Sequence, residues 1–172
     1  RSGARSGNAL FVSGRLGSAA AGLEQLRAGV TLETATTGMD LDAIRAQLAP
    51  TPRIELGRAL AMTGFATAAI DVSDGLSSDV RRICEASGVG VVIDGEAIPT
   101  LYDFHLALHG GEQYELLFAA DVDSEERLAL IAHQLKLPIT RIGRFEGPAA
   151  DILLEVGGTR SLLAAGGWEH FA

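Results

Sequence analysis

The residues best suited to chemistry lie in one short stretch, where an apolar run meets the start of a predicted helix. Asp71, Ser73 and Asp74 fall within four residues, at the end of a buried strand predicted for residues 66–71. The unpaired N–H groups and partial positive charge of a helix N-terminus favour phosphate oxygens. Carboxylates there would repel a bare phosphate but would hold a Mg²⁺ ion that bridges to it. The junction therefore indicates a metal–nucleotide site.

Helix capping is the alternative explanation for the same three residues. Ser73 would act as the N-cap, and Asp74 would stabilise the first turn of a helix over residues 74–86. Asp71 would then only end the strand. Because two carboxylates exceed what a cap requires, both explanations stay open. Asp79, about one and a half turns into this helix, is expected on its solvated flank.

Composition limits the classes of protein and partner. The chain has 172 residues, of which 47% are hydrophobic, enough for one compact domain. A net charge of −8 argues against a nucleic acid or an anionic membrane as partner. No apolar run approaches the ~20 residues that span a bilayer. The single cysteine, Cys84, allows no internal disulfide and favours a reducing compartment such as the cytoplasm.

Short apolar segments alternate with helical ones along the chain, which predicts an α/β or α+β class. The predicted fold is a mixed sheet of four or more strands with helices layered on it. The strand over 89–94 is expected to return beside the strand over 66–71. Tyr114, Leu116 and Phe118 alternate as one face of a further strand. The predicted strands cover residues 9–13, 66–71, 89–94, 114–120, 139–145 and 151–156, and the helices 18–28, 40–48, 53–62, 74–86, 101–108 and from 124.

Other candidate residues give weaker signals. Arg53 follows two prolines at a predicted helix start, where a structural role suffices. Glu112 follows a Gly-Gly turn and has no evident task there. Trp168 suits packing at a core or domain edge, or stacking on a heterocycle. The four histidines (His105, His109, His133, His170) are too scattered for a metal site, and His133 is expected at the surface.

The sequence carries no P-loop, dinucleotide fingerprint or nucleophile elbow. Its residues alone therefore indicate a Mg²⁺-dependent domain that handles phosphate groups.

Five motifs, in order, resemble those of thiamine-monophosphate kinases, and together they cover essentially the whole chain. These kinases belong to the superfamily that includes aminoimidazole ribonucleotide synthetase. The motifs are FVSGRLGSAAAGL over 11–23, PTPRI over 50–54, AIDVSDGL over 69–76 with Asp79 after it, GGEQYELLF over 110–118, and GWEHF over 167–171.

The resemblance implies a reaction and a role for each matching residue. Such kinases transfer the γ-phosphate of ATP to thiamine monophosphate, giving thiamine diphosphate. Asp71 and Asp74 would bind Mg²⁺, and Ser73 would contact ATP. Glu112 and Trp168 would contact thiamine monophosphate. Phosphoryl transfer needs positioning and charge neutralisation more than covalent chemistry, which suits a chain without a nucleophile motif.

The resemblance also places residues 1–172 as a single C-terminal domain. The family's N-terminal ATP-binding domain, which supplies further Mg²⁺ ligands, would precede the linker-like segment Arg1–Asn8. We therefore expect this chain alone to be inactive. The resemblance also implies a homodimer for the full-length protein.

The chain departs from the family pattern at a few positions. Gln113 stands where the family has an acid, which would remove a charge beside the substrate site. Asn8 and Ser6 replace an Asp and a Pro, with an expected effect on a turn only. Two other functions stay open. One is a related ATP-using enzyme, such as a hydrogenase-maturation protein or a selenophosphate synthetase, and the other is a non-catalytic binding domain.

Overall fold

The computed structural model describes residues 1–147 and 151–168, and within them the chain forms helices and strands in alternation. None of the helices in these ranges is both long and apolar enough to cross a membrane. The helices are α1 (Ser18–Arg27), α2 (Gly38–Leu48), α3 (Ile54–Thr63), α4 (Leu76–Ser87), α5 (Phe104–His109) and α6 (Glu125–Leu135). The strands are β1 (Ala9–Ser13), β2 (Ala66–Asp71), β3 (Gly90–Asp94), β4 (Leu116–Ala120), β5 (Ile139–Glu146), β6 (Ile152–Val156) and β7 (Thr159–Leu162).

The seven strands form one mixed sheet in the order β2-β4-β1-β5-β3-β6-β7, which confirms the predicted fold class. Only the β3–β6 pair is parallel among the described ladders. β3 does not return beside β2, because α4 carries the chain across the sheet and three strands lie between them. β2 is consequently an edge strand, with Asp71 at its end. β7 was not predicted, since all of its residues are exposed.

Apolar side chains fill both faces of the sheet, as β1 illustrates. All five of its residues are buried, and successive side chains point to opposite faces. Leu10 and Val12 belong to the core beneath α4. Phe11 stacks on Phe118 of β4 in a second core, which α3 and α6 cover. The sheet is thus the middle layer of three.

The apolar stripe predicted for α4 is confirmed. Leu76, Val80, Ile83 and Cys84 all have no exposed surface and pack on the sheet. Burial raises the pKa of the Cys84 thiol to about 12, so the thiol stays protonated near neutral pH. Cys84 is therefore a buried small hydrophobe, as its place in the stripe predicts.

Asn8 does more than shape a turn, contrary to the prediction. Its side-chain oxygen accepts hydrogen bonds from the Arg5 N–H (3.0 Å) and the Thr67 hydroxyl (2.9 Å). Its side-chain NH₂ donates to Asp121 Oδ1 at 2.7 Å. The residue is buried, so it joins the entry segment to β2 and to the loop after β4. An Asp here could not donate to Asp121.

The tight packing of α4 leads to a stability prediction. Ile83→Ala should lower the free energy of unfolding by about 3 kcal/mol, because it deletes fully buried methylene and methyl groups. Ile54→Ala is the matched control: Ile54 is 65% exposed, and we expect a change of no more than about 0.5 kcal/mol. Urea unfolding followed by circular dichroism measures both. Equal losses in the two variants would contradict the packing described for α4.

Candidate functional site

The four residues after β2, here called the junction loop (residues 72–75), continue beside the segment that leads into β4. The Val72 N–H donates to the Glu115 carbonyl at 2.8 Å. The Val72 carbonyl accepts from the N–H groups of Gln113 (3.1 Å) and Tyr114 (2.8 Å). These bonds extend the β2–β4 pairing beyond its ladder, which ends at Asp71 opposite Leu116. Two segments far apart in sequence are thereby held together at the sheet edge.

The carbonyls of Ser73 and Asp74 then hold the two residues predicted to contact a substrate. The Glu112 N–H donates to the Ser73 carbonyl at 2.8 Å, and the Trp168 N–H donates to the Asp74 carbonyl at 3.0 Å. Gly111 permits the first approach, because a Cβ there would lie 2.6 Å from the Ser73 carbonyl oxygen. The structure therefore brings all five sequence-predicted site residues to one place.

The capping explanation for these residues is wrong. α4 begins at Leu76, and its N-cap is Gly75, which has no side chain that could cap the helix. Ser73 and Asp74 lie before the helix, in the junction loop, so neither caps it. The helix starts later than predicted because Gly75 has a φ of 107°, a conformation that glycine adopts readily and that interrupts the helical path.

Asp79 is buried, not on a solvated flank as predicted. Its Oδ2 accepts the Asp74 N–H at 2.9 Å, and its Oδ1 accepts from Arg82 Nη1 at 2.5 Å. The same Arg82 nitrogen forms an ion pair with the Asp74 carboxylate. Burial raises the pKa of Asp79, although the Asp74 N–H and Arg82 act in the opposite direction. Asp79 thus fixes the junction loop from within α4.

Negative charge accumulates around the hydroxyl of Tyr114. The Glu112 carboxylate, and to a smaller extent the burial of the phenol and the charges of Asp71 and Asp74, raise the pKa of Tyr114. The Tyr114 hydroxyl lies 3.4 Å from Glu112 Oε2. The three carboxylates therefore share one small region. Arg82 pairs with Asp74, so a phosphorylated ligand would still meet the charges of Asp71 and Glu112, which a bound cation would offset.

The backbone around Glu112 is strained. Glu112 and Tyr114 have φ values of 61° and 52°, in the left-handed region that residues other than glycine seldom adopt. Tyr114 consequently lies before β4 and is not part of its alternating face, so that prediction is wrong. Strain of this kind persists where the surrounding bonds impose it, and here they come from the Val72 and Ser73 carbonyls.

The donor set fits a magnesium ion that also contacts phosphates. Mg²⁺ commonly takes one or two carboxylates from the protein and completes its shell with water and phosphate oxygens. Asp71 and Asp74 supply two carboxylates. In residues 1–147 and 151–168 no group of three or more His, Cys, Asp or Glu side chains is arranged to hold a metal. By themselves the two aspartates would therefore be an incomplete set of metal ligands, and the Asp74 carboxylate also pairs with Arg82.

Gln113 does not face the site. Its side-chain oxygen accepts the Ala19 N–H at 3.2 Å, and its NH₂ donates to Ser18 Oγ at 2.7 Å. The buried amide thus caps the start of α1. An Asp could accept the same N–H, so the departure from the family pattern changes a helix cap and leaves the surroundings of Glu112 unaltered.

A buried ion pair lies in the segment that carries Glu112, and the sequence did not predict it. Glu115 is 3% exposed and accepts two hydrogen bonds from Arg53, at 2.5 Å and 2.7 Å. The Ser13 hydroxyl donates to the same carboxylate at 2.5 Å. Arg53 therefore has the structural role that the sequence favoured. The pairing joins residues 62 positions apart, a separation that leaves no periodic signal.

The histidines and Trp168 fall in different surroundings. The rings of His105 and His109 lie 4.7 Å apart, and Ser77 Oγ lies 2.9 Å from His109 Nδ1. His133 is exposed, as predicted, and His170 lies outside the described residues. Trp168 is 67% exposed, so it does not pack in the core. Its ring presents an apolar surface beside the junction loop.

A cavity of about 520 Å³ runs along the open edge of β2 and reaches Asp71. Arg1 and Ser2 line it together with residues of α3 and β2. The sequence placed Arg1 only in a linker, because nothing in its neighbours marks a site. The cavity is therefore lined both by the first residues of the chain and by one of the predicted metal ligands, Asp71.

The sequence matches the family described as "AIR synthase related protein, C-terminal domain" over residues 5–153. The chain belongs to this family.

Curated relatives of this domain are thiamine-monophosphate kinases, as the five motifs predicted. The chain is 36% identical to the kinase of Haemophilus influenzae, covering 98% of this chain and 54% of the relative. It is 34% identical to the kinase of Bacillus subtilis, covering 99% of this chain and 55% of that protein. The chain thus spans about half the length of the curated relatives it matches.

Solved structures agree with the fold of this AIR synthase-related domain. A thiamine-monophosphate kinase from Stenotrophomonas maltophilia is 38% identical, with a TM-score of 0.78 over 91% of this chain and 52% of that one. A complex of AaThiL with AMPPCP and TMP is 32% identical, with a TM-score of 0.80 over 99% of this chain and 53% of that one. The hydrogenase-maturation protein HypE of E. coli, at 20% identity and a TM-score of 0.70, shares the fold alone.

The buried pair behind the site leads to a second stability prediction. Arg53→Met should lower the free energy of unfolding by about 3 kcal/mol, because it leaves the Glu115 carboxylate buried without its cation. Arg58→Met serves as the control, since Arg58 is 69% exposed and its pair with Glu55 is long at 3.7 Å. We expect less than about 0.5 kcal/mol for the control. Chemical unfolding measures both, and a similar small loss at Arg53 would contradict this role.

His109 leads to a prediction about pH. Burial, and secondarily the neighbouring His105, lower the pKa of His109 from its ordinary value of 6.5. The unfolded chain then binds a proton that the folded chain does not, so stability falls as the pH drops below about 6.5. His109→Gln should reduce this loss between about pH 7.5 and about pH 5.5. The exposed His133→Gln is the control, and an unchanged pH dependence in His109→Gln would refute the assignment.

Proposed function

We propose that this chain is the C-terminal half of a Mg²⁺-dependent thiamine-monophosphate kinase. Such an enzyme would transfer the γ-phosphate of ATP to thiamine monophosphate and release thiamine diphosphate. One observation carries the proposal: consecutive carbonyls, of Ser73 and Asp74, bind the N–H groups of Glu112 and Trp168. Residues proposed for nucleotide and for substrate are thereby held at one place.

Each residue has a role that its surroundings support. Asp71 and Asp74 would hold Mg²⁺, which supplies charge neutralisation to the phosphates when bound. Ser73, between them, would donate its hydroxyl to ATP. Glu112, exposed beside Tyr114, would accept hydrogen bonds from thiamine monophosphate. Trp168 would cover an aromatic ring of the substrate with its exposed face.

The proposal requires a second part of the protein. Two carboxylates and an open edge at β2 are too little to enclose two phosphorylated substrates and exclude water. We propose that an N-terminal ATP-binding domain supplies the remaining metal ligands, and that the full-length protein is a cytoplasmic homodimer. By itself this chain would then have no kinase activity.

The test is a kinase assay on the full-length protein that contains this chain. With ATP, Mg²⁺ and thiamine monophosphate, we expect thiamine diphosphate to form. Asp71→Asn and Asp74→Asn should each lower kcat/KM by about 100-fold or more, because each removes a metal ligand. Asp123→Asn is the control: Asp123 is exposed after the end of β4 opposite to the end that pairs with Asp71, and should leave the rate unchanged.

Two outcomes would overturn the proposal. One is a folded full-length protein that forms no thiamine diphosphate. The other is unchanged turnover in both site variants, with circular dichroism showing that they are folded. A protein that consumed ATP with thiamine monophosphate absent and ignored its addition would point to another member of the superfamily.

A further inference from the structure

The last described residues cross the site as a separate segment, here called the C-terminal strap (residues 163–168). Its start is fixed to the fold, since the Leu163 N–H donates to the Ile152 carbonyl at 2.8 Å. The Leu163 carbonyl accepts from Arg81 Nη2 of α4 at 3.1 Å. The side chain of Leu163 is buried in the core beneath α4. From this anchor the strap runs over the first turn of α4 to Trp168.

Two glycines let the strap lie directly on the backbone of the junction loop. A Cβ on Gly167 would overlap the Asp74 carbonyl oxygen and would lie 2.5 Å from Ser78 Oγ. A Cβ on Gly166 would lie 2.5 Å from Nδ1 of His109. Neither glycine has a positive φ, so space, not backbone conformation, requires glycine at both positions. The strap occupies a slot that admits no side chain.

Hydrogen bonds hold the strap in this slot on both sides of Gly167. Beyond Gly167, the Trp168 N–H donates to the Asp74 carbonyl at 3.0 Å. Before it, the Gly166 N–H lies 3.4 Å from Oγ of Ser77, which is fully buried and also contacts His109 Nδ1. Asp79 restrains the same residue from within α4, because its carboxylate accepts the Asp74 N–H on the other side of the Asp74 Cα. An added side chain would therefore displace the strap and leave the junction loop in place.

We propose that Gly167, supported by Gly166 and Ser77, is a positioning residue that sets the place of the Trp168 ring. The link to substrate affinity rests on the proposed kinase function, whereas the seating of the strap does not. Gly167→Ala breaks the Trp168 N–H···O bond to Asp74 and so releases the backbone that carries the indole. The substrate then loses an aromatic surface held in advance at the site.

Fluorescence tests the seating without any substrate. Trp168 is the only tryptophan of the 172-residue chain, so its emission reports on the strap alone. In Gly167→Ala we expect the amplitude of the fast, nanosecond component of the anisotropy decay to rise by about twofold or more. Gly38→Ala is the matched control, since a Cβ at Gly38 meets nothing within 4 Å and its φ is not positive. The control should leave the decay unchanged.

Kinetics of the full-length protein test the consequence. In Gly167→Ala the KM for thiamine monophosphate should rise about tenfold, while kcat and the KM for ATP stay within about twofold. Ser77→Ala should shift the anisotropy and this KM in the same direction by less. It replaces Gly167→Ala as the decisive variant if the latter does not fold.

Each outcome decides the proposal. An unchanged anisotropy decay in folded Gly167→Ala, or in Ser77→Ala when it is the decisive variant, overturns the seating. A looser indole with an unchanged KM overturns the positioning role. If the full-length protein has no kinase activity, the proposed function fails, and the anisotropy measurement still decides the seating of the strap.

Discussion

The site depends on two backbone carbonyls that α4 leaves available. If α4 began at Asp74, as its sequence predicts, the carbonyls of Ser73 and Asp74 would accept hydrogen bonds from N–H groups four residues later. α4 begins at Leu76 instead, and the N–H groups of Ser78 and Asp79 both bond to the Gly75 carbonyl. The carbonyls of Ser73 and Asp74 therefore accept from Glu112 and Trp168. Because α4 begins two residues later than predicted, these two carbonyls join three segments: the junction loop, the segment that carries Glu112 and the C-terminal strap.

Two buried carboxylates, each with a cationic partner, stabilise this arrangement. A buried carboxylate is tolerated when hydrogen bonds and a cation offset its loss of hydration. Asp79 has the Asp74 N–H and Arg82, and Glu115 has Arg53 and Ser13. The first set fixes the junction loop, and the second fixes the segment that carries Glu112. The junction loop and the segment that carries Glu112 are thus tied to the core by ionic contacts.

The sequence predicted the helices and strands better than the contacts between them. Periodicity predicted α4 because its apolar stripe is local. The residue types at the end of the predicted strand singled out Asp71, and motif resemblance singled out Glu112. The strand order, the burial of Asp79 and the Arg53–Glu115 pair depend on contacts between distant segments, which no local pattern encodes. The late start of α4 comes from the conformation of Gly75, whereas the Ser-Asp pair before it is typical of a cap.

The most direct test of this account is a crystal structure of the full-length protein with Mg²⁺, a non-hydrolysable ATP analogue and thiamine monophosphate. We predict carboxylate oxygens of Asp71 and Asp74 about 2.1 Å from Mg²⁺. Glu112 and Trp168 would contact thiamine monophosphate, with their N–H groups still bonded to the carbonyls of Ser73 and Asp74. A metal held by other residues, or thiamine monophosphate bound away from the junction loop, would contradict the account.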